Sequence, residues 1–259
     1  MRFAILGPLR LQNHAGPVPM PSAKRRALLI ALLVRIGTEV PACVLVDWLW
    51  PHDPPRSAMA TLQAHVSALR RTLEPDRPPW APSRVLVTRP SGYLLSVQPD
   101  MVDARRFEDL LTRGAAALRH GGAAAASQLL HGAIGVWRGE ALFDVRHVEA
   151  AQGDIARLEE LRLTAVALRV QADLALRRYL EVVPELARLV QEHPLDERFY
   201  AQLMVALSGS GRRADAMRVY RRASDVLARE LGIEPGPALQ RIRESIAAGR
   251  PPPHPVGGS

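Results

Sequence analysis

Apolar and polar positions alternate at both ends of the first hundred residues. Phe3 and Ile5, then Leu9 and Leu11, form short alternating runs that are interrupted by turn residues. Such runs predict short strands of a small antiparallel sheet. Residues 84–97 alternate again on either side of Arg89-Pro90-Ser91-Gly92, which predicts a β-hairpin with Arg89 near its tip.

Between these strand-like regions the apolar residues recur every three or four positions, which is typical of amphipathic helices. Ser22 is the expected N-cap of the first helix, which the pattern extends to about Ile36 before Gly37. The predicted helices cover residues 22–36, 42–50 and 57–73.

The third predicted helix has two contrasting faces. Its apolar stripe consists of Leu62, Val66, Leu69 and Leu73. The opposite face is small and polar: Ser57, Ala60, Thr61, Ala64, Ser67, Ala68 and Arg71. No acidic residue occurs from Arg56 to Leu73. A solvated helix face is usually rich in Glu and Lys, so this composition favours a helix that enters the major groove of DNA.

From residue 103 onward the strand signals disappear. Helical patterns cover residues 104–120, 123–137, 150–178, 180–193, 196–209, 212–231 and 235–248. A weak repeat runs through them. Gly211, Ala216, Tyr220 and Ala223 have tetratricopeptide-like spacing, which is shared by Gly121, Ala126, Leu130 and Ala133. A weaker copy (Val182, Leu186, Leu189 and Pro194) precedes the set 216, 220, 223 and 228 by the expected repeat length, so paired helices are predicted.

The basic charge is concentrated in the front of the chain. Residues 1–99 hold twelve Lys and Arg against five Asp and Glu, whereas the remaining residues hold 22 against 21. An excess of seven positive charges next to a nearly neutral region predicts a polyanionic partner for the front region only. A helical-repeat scaffold that binds proteins, with the front domain as an adaptor, is the alternative, but a pure scaffold needs no such charge.

The residues predict no enzyme. The sequence has no phosphate-binding loop, no GxGxxG after a strand and no GxSxG, so no cofactor is expected. The eight histidines are scattered and Cys43 is the single cysteine, so no metal site is expected and Cys43 is interpreted as a buried packing residue. With neither a signal peptide nor a long apolar run, the chain is expected in the cytoplasm, at the nucleoid, with no membrane partner.

Several basic and small polar residues are candidates for DNA contact. Lys24, Arg25 and Arg26 lie in the first turn of the first helix, where cations oppose the helix dipole, so they either face phosphates or form a solvated turn. Arg70 flanks the small face of the third helix and has the geometry to fork onto guanine. The predicted DNA-binding residues are Lys24, Arg25, Arg26, Ser57, Thr61, Ala64, His65, Ser67, Ala68, Arg70, Arg71, Thr88 and Arg89.

The order of these elements resembles an OmpR-type winged helix. The supporting strings are His65-Val-Ser-Ala-Leu-Arg-Arg-Thr-Leu73 and Thr88-Arg-Pro-Ser-Gly-Tyr93. With Leu158-Glu-Glu-Leu-Arg-Leu163 and Glu230-Leu-Gly-Ile-Glu-Pro-Gly-Pro237 in the rear region, residues 1 to about 249 resemble the Streptomyces antibiotic regulatory protein family. One departure is Ala68, at a position that is often basic in OmpR-type domains, which leaves more of the DNA contact to Arg70 and Arg71.

The resemblance implies a mainly α protein. It implies an α+β winged helix-turn-helix over residues 1–99 and an all-α tetratricopeptide-like bacterial transcriptional activation domain over 100–249. The Pro- and Gly-rich composition of residues 250–259 predicts a disordered tail. The implied function is sequence-specific activation of a secondary-metabolite gene cluster. The implied partners are double-stranded DNA with direct repeats at promoters, RNA polymerase holoenzyme and a second copy of the chain on DNA.

Overall fold

The computed structural model describes residues 1–78 and 80–252 of the chain. The described helices are α1 (Ala23–Val34), α2 (Ala42–Leu49), α3 (Ala58–Leu73), α4 (Asp103–Arg119), α5 (Ala123–Gly135), α6 (Gln152–Ala175), α7 (Tyr179–Glu192), α8 (Glu197–Gly209), α9 (Arg213–Leu231) and α10 (Pro237–Ala247). The described strands are β1 (Arg2–Ala4), β2 (Arg10–Asn13), β3 (Gly16–Val18), β4 (Glu39–Pro41), β5 (Leu86–Thr88) and β6 (Gly92–Leu95). The mainly α fold class predicted from the sequence is thereby confirmed.

Two antiparallel sheets frame the three front helices. The first has the order β1-β2-β3, and the second has the order β4-β6-β5. β5 and β6 form the predicted hairpin, but β4 was missed because a three-residue strand has too little length for an alternating pattern. β6 approaches β4 closely at Gly92, where a Cβ atom would lie 2.0 Å from the carbonyl oxygen of Val40, so this contact requires glycine.

The front helices begin and bury residues as their patterns predict. The Ser22 hydroxyl accepts a hydrogen bond from the Arg25 N–H at 3.4 Å and so caps α1. The predicted apolar stripe of α3 is buried throughout. α2 buries Leu45, Trp48 and Leu49. Cys43 falls on the opposite side of α2 and is exposed, so its interpretation as a buried residue was wrong.

Contacts divide the chain into two compact units. The first unit comprises residues 1–109 with 133–162, and the second comprises 110–132 with the residues from 163 onward. The domain boundary at residue 99 stays a prediction. The predicted tail over 250–259 lies outside the described residues from 253 on.

Aspartates beyond residue 99 bind the connection between β1 and β2 within the first unit. The Asp103 carboxylate accepts hydrogen bonds from the N–H groups of Ile5 at 2.8 Å and Leu6 at 3.1 Å. Asp144 accepts from the Leu9 N–H at 2.6 Å and forms a 2.8 Å ion pair with Arg26. These contacts tie the β1–β2 connection and the start of α1 to residues that sequence reasoning assigned to the rear domain.

The second unit is all helical in its described residues. α8 packs against both α7 and α9, and its residues from Phe199 to Leu207 are all buried. The small and apolar positions of the predicted repeat are also buried: Ala126 and Leu130 on α5, Val182, Leu186 and Leu189 on α7, and Ala216 and Ala223 on α9. None of the described helices is both long and apolar enough to span a bilayer.

Candidate nucleic-acid interface

The exposed face of α3 is small, polar and free of acid. Ala60, Gln63, Ala64, Ser67 and Arg71 are exposed along it, and the four leucine and valine residues of the apolar stripe are buried behind it. Thr61, His65 and Ala68 are half-buried at the edge of this face. Short side chains on an exposed helix allow its backbone to approach base edges closely, which is what entry into a major groove requires.

The N-terminus of α3 adds two hydroxyl groups to the same face. Ser57 is the exposed residue that precedes the helix, and its Oγ lies 3.5 Å from Oγ1 of Thr61. Hydroxyl groups at the first turn of a helix are suited to phosphate oxygens, which favour the positive end of the helix dipole.

Gln63 is a candidate that sequence reasoning missed. Its side chain is exposed on α3 between Ala60 and Ser67. A glutamine amide presents a donor and an acceptor together and can pair with the N6 and N7 positions of adenine. Gln63 lies three residues after Ala60 and four before Ser67, and this helical spacing could have placed it on the same face from the sequence.

The hairpin carries basic charge at its tip. Hydrogen bonds between Arg89 and Gly92, at 2.9 Å and 3.3 Å, close the turn, and Thr88, Arg89 and Pro90 are exposed. Glu39 on β4 accepts hydrogen bonds from the hydroxyl group and from the N–H of Ser91, the latter at 2.9 Å. These two bonds, followed by the charge of Arg89, lower the pKa of Glu39. The Glu39 carboxylate therefore stays ionised, which fixes the turn and offsets part of the positive charge at its tip.

Arg70 braces this hairpin against α3. Its Nε donates to the carbonyl oxygen of Leu86 at 2.9 Å, and its Nη2 donates to Oγ1 of Thr88 at 2.6 Å. Both bonds engage β5, so in this arrangement Arg70 positions the hairpin and its guanidinium is not extended for a fork onto guanine. Arg71, the next residue, is exposed on the small face.

Glu74 is a second brace, at the C-terminal end of α3, and was also missed. Its carboxylate accepts from the N–H groups of Arg84 at 2.9 Å and Val85 at 3.3 Å, and from the hydroxyl group of Ser83. Burial acts to raise the pKa of Glu74, but these hydrogen bonds outweigh it and the pKa is lowered. An ionised Glu74 thus holds the start of the hairpin beside the end of α3.

The three cations of the first turn of α1 have different surroundings. Lys24 donates to the carbonyl oxygen of Leu49 and lies over the Trp50 ring, 5.4 Å from its centroid. Arg26 pairs with Asp144 and donates to the carbonyl oxygens of Met20 and Pro21 at 3.0 Å and 2.8 Å. The Arg25 guanidinium has neither a hydrogen bond nor an ion pair to another described residue. Arg25 is therefore the member of this group best suited to a phosphate.

His65 lies at the edge of the α3 face, beside the residue that follows α2. Its ring stacks on Trp50 with 6.4 Å between centroids. Burial, and then the charges of Arg25 and Lys24, lower the pKa of His65. The imidazole is therefore neutral at pH 7 in the free protein, and a nearby phosphate would favour its protonation.

The comparisons with known proteins agree with this geometry. The model of the transcriptional regulatory protein C-terminal domain matches residues 19–95, and the model of the bacterial transcriptional activator domain matches residues 102–247. Regulatory protein DnrI of Streptomyces peucetius is 37% identical over 255 residues, which cover 97% of this chain and 93% of that protein. Regulatory protein AfsR of Streptomyces griseus is also 37% identical, over 246 residues, and the match covers 95% of this chain but 24% of AfsR.

A solved structure has the same fold. The structure of Mycobacterium tuberculosis EmbR in complex with a low affinity phosphopeptide matches with a TM-score of 0.91 and 35% sequence identity. The match covers 96% of this chain and 65% of that chain.

Neighbouring arginines on α3 are expected to respond differently to substitution. Arg70→Ala removes two hydrogen bonds to β5, so it should lower the free energy of unfolding by about 1–2 kcal/mol and weaken DNA binding through a loosened hairpin. Arg71→Ala should leave the stability unchanged, weaken DNA binding for all sequences and reduce the salt slope by about one. Urea unfolding and fluorescence titration with DNA measure these quantities. Equal effects of the two variants on stability would contradict the bracing role of Arg70.

DNA binding should take up a proton at His65. The pKa of this group is lowered in the free protein and is expected to rise when phosphate offsets the charges of Arg25 and Lys24. The affinity should therefore increase as the pH falls through the raised pKa of the DNA-bound protein, and it should level off below the lowered pKa of the free protein. Titrations at several pH values should lose this increase in His65→Gln but not in His14→Gln, an exposed control. The same pH slope in both variants would refute the role of His65.

Proposed function

Because this chain belongs to the Streptomyces antibiotic regulatory protein family of DNA-binding transcriptional activators, we propose that it activates a secondary-metabolite gene cluster by binding direct repeats at promoters and recruiting RNA polymerase. The DNA-binding part of this proposal rests on the exposed face of α3, which has no acidic residue and has the apolar stripe buried behind it. The activity takes place in the cytoplasm, at the nucleoid.

Each protomer reads one repeat with α3 in the major groove. Ser57, Thr61 and Arg71 bind phosphates beside the groove, and Gln63, Ala64 and Ser67 face base edges. Arg89 at the hairpin tip reaches the adjacent minor groove or backbone. Arg25 and His65 contact phosphate on the other flank of α3, where the anion offsets the charge of Arg25 that lowers the pKa of His65 in the free protein.

A homodimer forms on DNA when two repeats bring two protomers to the same side of the duplex. B-form DNA repeats its orientation about every 10–11 base pairs, so repeats at that spacing present the same groove in the same direction. Direct repeats place the protomers head to tail.

RNA polymerase holoenzyme is contacted through the loop that precedes α3. All residues from Pro51 to Arg56 are exposed, and three prolines stiffen this connection. Met59, 50% exposed at the start of α3, adds an apolar side chain next to the loop. Exposed loop residues and an adaptable methionine are suited to a protein surface.

The test combines binding and transcription on one set of promoters. Fluorescence titrations use two direct repeats at several salt concentrations, and run-off transcription with polymerase holoenzyme uses the same DNA. We expect a steep negative slope of log K against log salt, which reflects several phosphate contacts. An insertion of about five base pairs, half a helical turn, should abolish cooperative binding and activation and leave binding to a single repeat intact.

Two results would contradict the proposal. Absence of binding or a flat salt dependence would remove the DNA-reading role of α3. Activation that is insensitive to the half-turn insertion would remove the side-by-side arrangement on direct repeats.

A further inference from the structure

Three arginines converge on one cavity in the second unit. The cavity has a volume of about 410 Å³ and is bordered by the end of α6, the end of α8, the start of α9 and the segment after α10. Arg177, Arg213 and Arg250 line it, together with the hydroxyl-bearing residues Tyr179 and Ser208. None of the described residues that line the cavity is acidic. Its positive charges therefore have no carboxylate partner within the cavity.

Arg177 occupies a backbone position that favours glycine. It follows α6 with a φ of 60°. Its N–H donates to the carbonyl oxygen of Leu174 at 3.0 Å, and the Arg178 N–H donates to the carbonyl oxygen of Asp173 at 3.0 Å. This is the hydrogen-bond pattern of a helix end whose left-handed residue is usually glycine. Four other described helices are followed by a glycine with positive φ: Gly121, Gly211, Gly232 and Gly249.

An arginine in place of glycine costs backbone strain, and a strained residue at the edge of a cavity indicates a role for its side chain. The turn itself is held independently of Arg177, because the Arg178 guanidinium lies 3.1 Å from the buried carboxylate of Asp173. The fold therefore does not depend on the Arg177 guanidinium.

Arg213 and Arg250 are brought to the cavity by the end of α10. Nη2 of Arg213 donates to the carbonyl oxygen of Ile246, and Nη1 lies 3.4 Å from the position of a Cβ atom on Gly249. The Arg250 N–H bonds to the carbonyl oxygen of Ser245 at 2.9 Å, which turns the chain back after the helix. The guanidinium groups of Arg177 and Arg250 have no hydrogen bond or ion pair to another described residue.

From this arrangement we infer that the cavity binds the phosphate group of a small phosphorylated metabolite, a role independent of the proposed DNA contacts. A volume of this size is typical of small-molecule pockets, which range from about 300 to 1,000 Å³. Guanidinium groups pair with phosphate in a bidentate manner. The three terminal oxygens and two charges of a phosphate monoester can engage all three arginines. A carboxylate has a single negative charge, so it would offset less of the positive charge of the three guanidinium groups.

The experiment measures phosphate binding by the full chain. Inorganic phosphate, pyrophosphate and glycerol phosphate are titrated against sodium chloride at equal ionic strength, with calorimetry and the thermal-unfolding midpoint as readouts. We expect at least one of the three phosphate compounds to bind saturably, with half-saturation below about 1 mM. Absence of saturable binding of all three would overturn the inference.

The key variant is Arg177→Gly, which removes the guanidinium and supplies the residue that the backbone prefers. Without phosphate its unfolding midpoint should be equal to or higher than that of the original chain, and its phosphate affinity should fall at least tenfold. Arg250→Ala should show the same loss, whereas Arg229→Ala, an exposed arginine on α9, should show none. Retained phosphate binding in both Arg177→Gly and Arg250→Ala would overturn the inference.

DNA phosphates are the alternative source of the same anion. DNA titrations of Arg177→Gly and Arg250→Ala distinguish the two sources. Unchanged DNA affinity and salt slope are expected for a metabolite site. A loss of DNA affinity with a reduced salt slope in both variants would contradict the metabolite site.

Discussion

Burial of the apolar stripe of α3 determines which side of the helix forms the candidate DNA-reading surface. Leu62, Val66, Leu69 and Leu73 are all buried, and α3 packs against α1, α2 and β5. Each such side chain contributes about 1.5–3 kcal/mol when it is fully removed from water. Rotation of the helix by one residue position would expose part of the stripe and cost several kcal/mol. The small polar face, including Ala64 and Ser67, is therefore directed to solvent by the core behind it.

Polar braces then fix the elements around α3. Arg70 and Glu74 hold the hairpin beside the C-terminal end of the helix, and Glu39 holds its tip. At the other flank, Asp144 neutralises Arg26 and holds the start of α1. The basic residues of the first unit thus fall into two groups. Arg26 and Arg70 stabilise the fold, whereas the half-buried Arg25 and the exposed Arg71 and Arg89 are the residues that we propose for contact with phosphates.

The sequence predicts elements whose information is local. The spacing of Leu62, Val66, Leu69 and Leu73 gives the buried side of α3, and alternation around Gly92 gives the hairpin. The sequence does not predict β4, because three residues are too few to show an alternating pattern. The sequence also does not predict the hydrogen-bond and ion-pair partners of Arg70 and Arg26, because these depend on how distant segments pack and no local spacing encodes that. For the same reason the hydrogen bonds of Asp103 to Ile5 and Leu6 were not foreseen, and the first compact unit extends past residue 99. The exposure of Cys43 follows from the side of α2 that Trp48 buries.

We propose that the small face of α3 lies in the major groove of the operator. A direct measurement places a cysteine at Ala64, in a chain in which the exposed Cys43 is replaced by serine, and attaches an iron chelate that cleaves nearby DNA. Asp47→Cys, exposed on α2, is the matched control. We expect strong cleavage centred on each repeat from position 64 and weak or no cleavage from position 47. Equal cleavage from both positions, or none from position 64 while the protein remains bound, would contradict the proposal.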